Sequence, residues 1–172
     1  GGMGRIGTAV ARRARHGFGC RILVSSRSPV RSELLAELGA ETRSLDDLLR
    51  EADIVSLHCP ATPETRNLLD ARRIGLLRPD AILVNTARGD LVDETALIAA
   101  LTEGRLAAAG LDVFRGEPKV SPALLALDNV VALPHLGSAT VETRTAMGMA
   151  AADNLEAFFE GRPVPHPVVG PA

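Results

Sequence analysis

The chain has 172 residues, 46% of them hydrophobic and 23% charged, with a formal net charge of −2, the composition of an ordinary globular protein. That charge gives no reason to expect a nucleic-acid partner, and no apolar run approaches the roughly 20 residues of a membrane span. Cys20 and Cys59 lie far apart without metal-ligand spacing, and the opening GGMGRIG carries no signal-peptide pattern. Those features predict no metal, no disulfide scaffold and a reducing, cytoplasmic setting.

Short β-type runs alternate with helical patterns, the signature of an α/β fold with a doubly wound parallel sheet of Rossmann type. After the glycine-rich opening, Ile6, Val10, Ala14 and Phe18 fall four apart. They predict a helix from Ile6 to Phe18 with that stripe inward and Arg12, Arg13 and Arg15 outward, as a solvated face in preference to a phosphate-binding patch. A strand at RILVS (21–25), a helix from Pro29 to Gly39, a weak strand near Thr42 and a helix from Leu45 to Glu51 follow. Next come a strand at DIVSLH (53–58), a short helix capped by Asp70 that stops before Pro79, and a strand at AILVNT (81–86). Asp93 caps a helix from Glu94 to Thr102, terminated by Gly104. Strands at LAAAGLDV (106–113) and VVAL (130–133) precede a long helix from Val141 to Glu160, whose Met147, Ala151, Leu155 and Phe158 are expected to face a core. Most strands are continuous apolar runs, which predicts burial on both sheet faces. Residues 1–160 read as one nucleotide-binding domain, and the four prolines of the tail 161–172 predict an extended segment.

Gly2, Gly4 and Gly7 form GMGRIG, which fits the G-x-G-x-x-G turn of a dinucleotide site. Such glycines permit the tight turn, let the backbone approach a pyrophosphate and let the helix pack on the sheet, while the helix N-terminus adds the positive end of its dipole. The helix that must follow is present, but only Gly1 stands ahead of the motif where a central strand belongs. The expectation is a fragment of a longer protein, with a gap between the strands at 21–25 and 53–58.

Ligands in open α/β sheets bind at the carboxyl ends of the strands. Those ends are followed here by Ser25, Ser26 and Arg27; by Cys59 and Pro60; by Ala87 and Arg88; by Phe114 to Glu117; and by Pro134 and His135. An arginine offers a planar pair of donors to a carboxylate, and a histidine exchanges a proton near neutral pH. A glutamate beside that histidine would fix its ring and make it a better acid toward a developing alkoxide. With a nicotinamide, Arg88, Glu117 and His135 are the equipment for reducing a 2-oxo acid. His16, His58 and His166 read as structural, and Cys59 has no basic neighbour in sequence to activate its thiol.

Five segments in this order, GMGRIGTAVARRARHGFG, HCPATPETRNLL, ILVNTARGDLVDETAL, AAGLDVFRGEP and LPHLGSAT, resemble the D-isomer-specific 2-hydroxyacid dehydrogenases. The resemblance covers nearly the whole chain. It implies that Arg88 binds substrate, that Glu117 pairs with the histidine and that His135 donates the proton. For the cofactor it implies contacts from Gly2, Gly4, Arg5, Ile6 and Gly7 in the turn, and from Cys59, Pro60 and Thr65 on the nicotinamide side. Thr86, Ala87, Arg88, Asp112, His135 and Gly137 would surround the ring. It further implies a separate substrate domain, absent here, to which the tail returns, and a homodimer formed through the nucleotide-binding domain. One position departs from the NAD-dependent pattern: Ser26 and Arg27 stand where an acidic residue usually receives the ribose hydroxyls. Losing that carboxylate and gaining an arginine favours the 2′-phosphate of NADP(H) over NAD(H), a pattern similar to glyoxylate and hydroxypyruvate reductases. The second reading, from a different class, is a nucleotide-binding module without catalysis.

Overall fold

The computed structural model describes residues 1–167; part of the expected tail, 168–172, lies outside the described residues. The chain resolves into two compact units, Gly1–Pro134 and the segment from His135 onward. In the first unit, α1 (Arg5–Phe18), β1 (Leu23–Val24), α2 (Ser32–Leu38), β2 (Glu41–Thr42), α3 (Leu45–Glu51) and β3 (Ile54–Leu57) follow one another. They lead to α4 (Ala71–Ile74), β4 (Ile82–Asn85), a 3-10 turn at Gly89–Leu91, α5 (Glu94–Thr102), β5 (Ala108–Leu111), α6 (Pro122–Leu125) and β6 (Val130–Ala132). The second unit carries α7 (Val141–Phe159).

All strand pairing is parallel, as the alternating pattern requires, and it falls into two sheets. β1 pairs with β2, and β3, β4, β5 and β6 pair in that order. Between the facing edges of β1 and β3 stand Gly1 and Gly2. The Gly2 N–H donates to the Ser25 carbonyl (2.9 Å), and the His58 N–H donates to the Gly1 carbonyl (2.7 Å). Below them lies a cavity of about 320 Å³ lined by Val10, Ala11 and Ala14 of α1, Ile22 and Val24 beside and on β1, and Val55 of β3. This is where the sequence predicts a gap.

Register fixes the site edge. Leu57 stands opposite Asn85, Asn85 opposite Leu111, and Leu111 opposite Ala132. The loops that follow β3, β4, β5 and β6 therefore leave the sheet at one level.

Two cores hold the unit together. Leu34 and Leu38 of α2 pack with Ala11, Ile22 and Val24. A larger cluster joins Leu48 and Leu49 of α3, Ile74 of α4 and Leu97, Ala100 and Leu101 of α5 to Val55, Leu57, Leu83, Ala109 and Leu111 of the sheet. Burial of that apolar area at roughly 25 cal/mol per Å² is the main stabilising term. Side-chain caps start the helices where the sequence predicts: Ser44, Asp70, Asp93 and Thr140 accept from the backbone N–H three residues on.

Several expectations are corrected. α1 buries Gly7 and Ala11, while Ile6 (68%), Val10 (40%) and Phe18 (83%) are exposed, because only small residues let this helix approach so closely. The sheet is not buried on both faces: Ile54, Ile82 and Val131 are exposed while Val55, Leu83 and Ala109 are buried, because α4 and α5 cover one face. The proposed core stripe of α7 is exposed at Met147, Ala151, Leu155 and Phe158, and Ala157 is its buried residue. Within its own unit that helix is joined to the tail, where Asn154 and His166 exchange two hydrogen bonds. α2 starts at Ser32, not Pro29, and the sequence reading lacks both α6 and the 3-10 turn. Among the arginines of α1, Arg12 forms a two-pronged pair with Glu37 and Arg13 donates to the Ala9 carbonyl. Both contacts fit the solvated-face reading.

A Cβ placed on Gly7 would stand 2.2 Å from the Gly2 carbonyl oxygen. Gly7→Ala is therefore expected to lower the melting temperature by separating α1 from the turn, whereas Gly17→Ala, in open space, leaves it unchanged or raises it. Equal melting of the two variants would contradict the contact. Glu41, held by Arg21 and then Arg43, and Asp46, held by Arg72 and then Arg73, are both lowered to about 2. Their folded values lie below the unfolded ones, so their stabilisation is complete above about pH 4.5 and is lost as pH falls toward 2. Melting temperature should decline through that window, and less steeply in high salt, since these pairs are exposed.

Candidate active site at the carboxyl edge

The glycine turn takes its shape from backbone crowding. Gly2 has φ +88, and a side chain there would meet the His58 carbonyl at 2.7 Å. Gly4 stands at the N-cap of α1 without a side-chain cap, and no acidic residue occupies the first turn. The N–H groups at the start of a 14-residue helix thus face outward beside a turn whose glycines leave room for a bulky anion. Those features fit the pyrophosphate of a dinucleotide. Arg5 and Ile6, both exposed, flank that terminus.

The Gly2–Ser25 and Gly1–His58 hydrogen bonds set two loops on either side of the turn. On one side, Ser26 and Arg27 are exposed, with no carboxylate among residues 25–28. Glu64 lies within electrostatic reach of Arg27, and its carboxyl is held below the usual range first by the Thr62 hydroxyl, then by its own backbone N–H and least by Arg27. On the other side, burial pushes the Cys59 thiol up and the His58 ring down. A raised thiol is a poor nucleophile, in keeping with a packing role for Cys59. Thr65 closes the loop on itself: its hydroxyl donates to the Pro60 carbonyl (2.7 Å) and accepts from the Thr62 N–H (2.8 Å).

After β4 the chain turns at once, and a residue outside the predicted site governs that turn. Asn85 is fully buried; its Oδ1 accepts from the Ala87 N–H (3.0 Å) and its Nδ2 donates to the Arg88 carbonyl (2.9 Å). The signal was present as an Asn at a strand end before a turn, where its side chain replaces a backbone partner. Thr86 and Arg88 are left exposed on either side of Ala87, and the Arg88 guanidinium donates to the Ala87 carbonyl at 2.6 Å. Gly89 then passes over the next strand end so closely that a Cβ would lie 2.1 Å from the Phe114 carbonyl carbon.

From β5, Asp112 is buried, with its N–H on the Asn85 carbonyl (3.0 Å). Glu117 is exposed and its Oε1 accepts from the Phe114 N–H (2.8 Å), which folds the segment back on itself. β6 hands the chain to the second unit at His135, which is exposed with φ +55, and Gly137 is exposed two residues on. The first unit thus brings together Gly2, Gly4, Arg5, Ile6, Gly7, Ser26, Arg27, Cys59, Pro60, Thr65, Thr86, Ala87, Arg88, Asp112 and Glu117 on one sheet edge. Among the described residues no group of three His, Cys, Asp or Glu side chains is suited to a metal, and no helix is long and apolar enough to cross a membrane.

Residues 1–137 match the family model for the NAD binding domain of D-isomer specific 2-hydroxyacid dehydrogenases. The chain is 54% identical over 166 residues to a glyoxylate reductase of Aeropyrum pernix, covering 96% of this chain and 49% of the relative. It is 53% identical over 160 residues to a glyoxylate reductase of Pyrococcus furiosus, covering 93% and 47%. The crystal structure of an NADPH-dependent glyoxylate/hydroxypyruvate reductase from Sinorhizobium meliloti, in complex with NADP and malonate, superposes with a TM-score of 0.90. It shares 40% identity over 98% of this chain and 51% of that one. The chain therefore spans about half the length of the relatives it matches. On these matches it belongs to the D-isomer-specific 2-hydroxyacid dehydrogenases and carries their NAD-binding domain.

Proposed function

We propose that this chain supplies the dinucleotide-binding half of a cytosolic reductase acting on glyoxylate, hydroxypyruvate or a similar small 2-oxo acid. The observation that carries the reading is the common level of the strand ends, which puts the Arg88 turn on the same edge as the Gly2–Gly7 turn. The names of the relatives, glyoxylate reductases from two organisms, support the substrate class.

A dinucleotide held at the Gly2–Gly7 turn would supply the hydride that C2 of the substrate takes up. Arg88 holds the substrate carboxylate through two parallel N–H donors and so orients the carbonyl. His135 gives a proton to the carbonyl oxygen as the C–H bond forms, completing a 2-hydroxy acid, and Glu117 holds the imidazole in the orientation that makes this transfer possible. Asn85 keeps the Arg88 backbone in place for its role. Water must be kept from the site, a task for the substrate domain. The working form is a homodimer built through this domain.

The cofactor favoured is NADP(H). Ser26 and Arg27 stand beside the glycine turn with no carboxylate to repel a 2′-phosphate, and the Sinorhizobium meliloti relative is NADPH-dependent.

Arg88→Ala and His135→Ala are each expected to lower kcat/KM for glyoxylate by about 10²- to 10⁴-fold while NADPH affinity changes little. Near-normal turnover in either variant would overturn its role. NADPH should raise the melting temperature of the 172-residue chain more than NADH does, since a ligand bound only by the folded state stabilises it. Arg27→Asp should reverse the order, and a larger shift with NADH in the unaltered chain would overturn the cofactor choice.

A further inference from the structure

The turn that carries Arg88 has weak ties of its own. Leu91 N–H reaches the Arg88 carbonyl at 3.3 Å and Val92 N–H the Gly89 carbonyl at 3.1 Å. Beyond the two Asn85 bonds, its firmer ties come from the loop after β3. Asn67, at φ +50, donates its N–H to the Asp90 carbonyl (2.8 Å). Leu69 bridges Val92 through two bonds of 2.9 Å, from Leu69 N–H to the Leu91 carbonyl and from Asp93 N–H to the Leu69 carbonyl.

One side chain crosses this junction from the third strand end. Arg115 donates from Nη2 to Asn67 Oδ1 and, at 3.5 Å, to the Val92 carbonyl. Its Nε lies 3.6 Å from Asp90 Oδ1, within ion-pair range, and is buried without a hydrogen-bond partner among the described residues. The same residue adjoins Phe114, on whose backbone Gly89 rests, and stands two positions before Glu117. A single guanidinium therefore touches the loop after β3 and the turn after β4 while rooted in the segment after β5.

We propose that Arg115 is a positioning residue: it clamps the Arg88 turn to the Asn67 loop and to the Glu117 segment, and so fixes where the substrate carboxylate is held. The proposal rests on the reading of Arg88 as the substrate anchor. The chemistry favours arginine here, because a rigid planar fork meets several acceptors at once, whereas a lysine ammonium is a single point on a flexible stem.

The test combines backbone hydrogen exchange on the 172-residue chain with steady-state kinetics of the protein that carries it. The variants are Arg115→Met, Arg115→Lys and Asn67→Gly. Glycine accepts the positive φ of Asn67, so Asn67→Gly removes the acceptor without straining the loop. In Arg115→Met and Asn67→Gly, exchange at the amides of Asn67, Leu69 and Asp93 is expected to quicken about tenfold or more by local opening, with the β4 and β5 amides unchanged. KM for glyoxylate should rise about tenfold with kcat nearly constant, since a displaced carboxylate anchor weakens ground state and transition state alike. The double variant should be no worse than either single one, as expected for two members of one contact, and Arg115→Lys should fall between.

Unchanged exchange at those three amides overturns the clamp. Quickened exchange with a lower melting temperature but an unaltered KM reduces Arg115 to a structural brace and equally overturns the proposal. If the unaltered protein fails to reduce any 2-oxo acid, the proposed function falls instead. The substrate role of the clamp then falls with it, while exchange still decides whether the contact holds the turn.

Discussion

Two backbone hydrogen bonds, from Gly2 to Ser25 and from His58 to Gly1, join what would otherwise be two separate parallel sheets. The glycine-turn side of the site edge is referred to them. They set the Ser26–Arg27 loop on one side of the glycine turn and Cys59–Pro60 on the other. By fixing Gly2, they also fix the surface on which Gly7 of α1 rests. A side chain at either glycine would collide with backbone, and backbone cannot move aside without pulling a strand end with it. The motif thus serves architecture and ligand binding with the same atoms: the closeness that excludes a Cβ also exposes the helix N-terminus to a phosphate.

The β4–β5 side of the edge is built by a different principle. Buried Asn85 replaces missing backbone partners at the strand end, Gly89 allows the turn to lie on Phe114, and Arg115 ties the result to the loop after β3. Arg88 itself makes none of these ties except through its backbone carbonyl and a bond to its neighbour's carbonyl. The side chain that meets substrate in the proposed reaction is therefore free to act, while the residues around it hold the frame.

Much of this was legible in the residues alone. Parallel polarity followed from the alternation of apolar runs with helical periods, and caps at Asp70 and Asp93 placed the starts of α4 and α5. The edge on which Arg88 and Glu117 emerge followed from the carboxyl-end rule. What escaped was whatever depends on distances between segments. Periodicity put Ile6, Val10 and Phe18 on the inner stripe of α1, but the approach at Gly7 and Ala11 leaves all three exposed. The same reasoning marked Met147 and Leu155 of α7 as core, since a period of 3.6 reveals a stripe without revealing what covers it. Asn85 was read as part of a strand, and Arg115 and Asn67, 48 positions apart, carry no pattern that links them. Spacing reports which residues share a face. It does not report which loops touch.

The most direct test of the account is amide hydrogen exchange along the 172-residue chain with and without saturating NADPH. The account predicts added protection concentrated at Gly2–Gly7, at residues 25–27 and 58–59 beside the turn, and at 86–89 after β4. Protection absent from the glycine turn, or confined to the far ends of the strands, would contradict the placement of the dinucleotide on this edge.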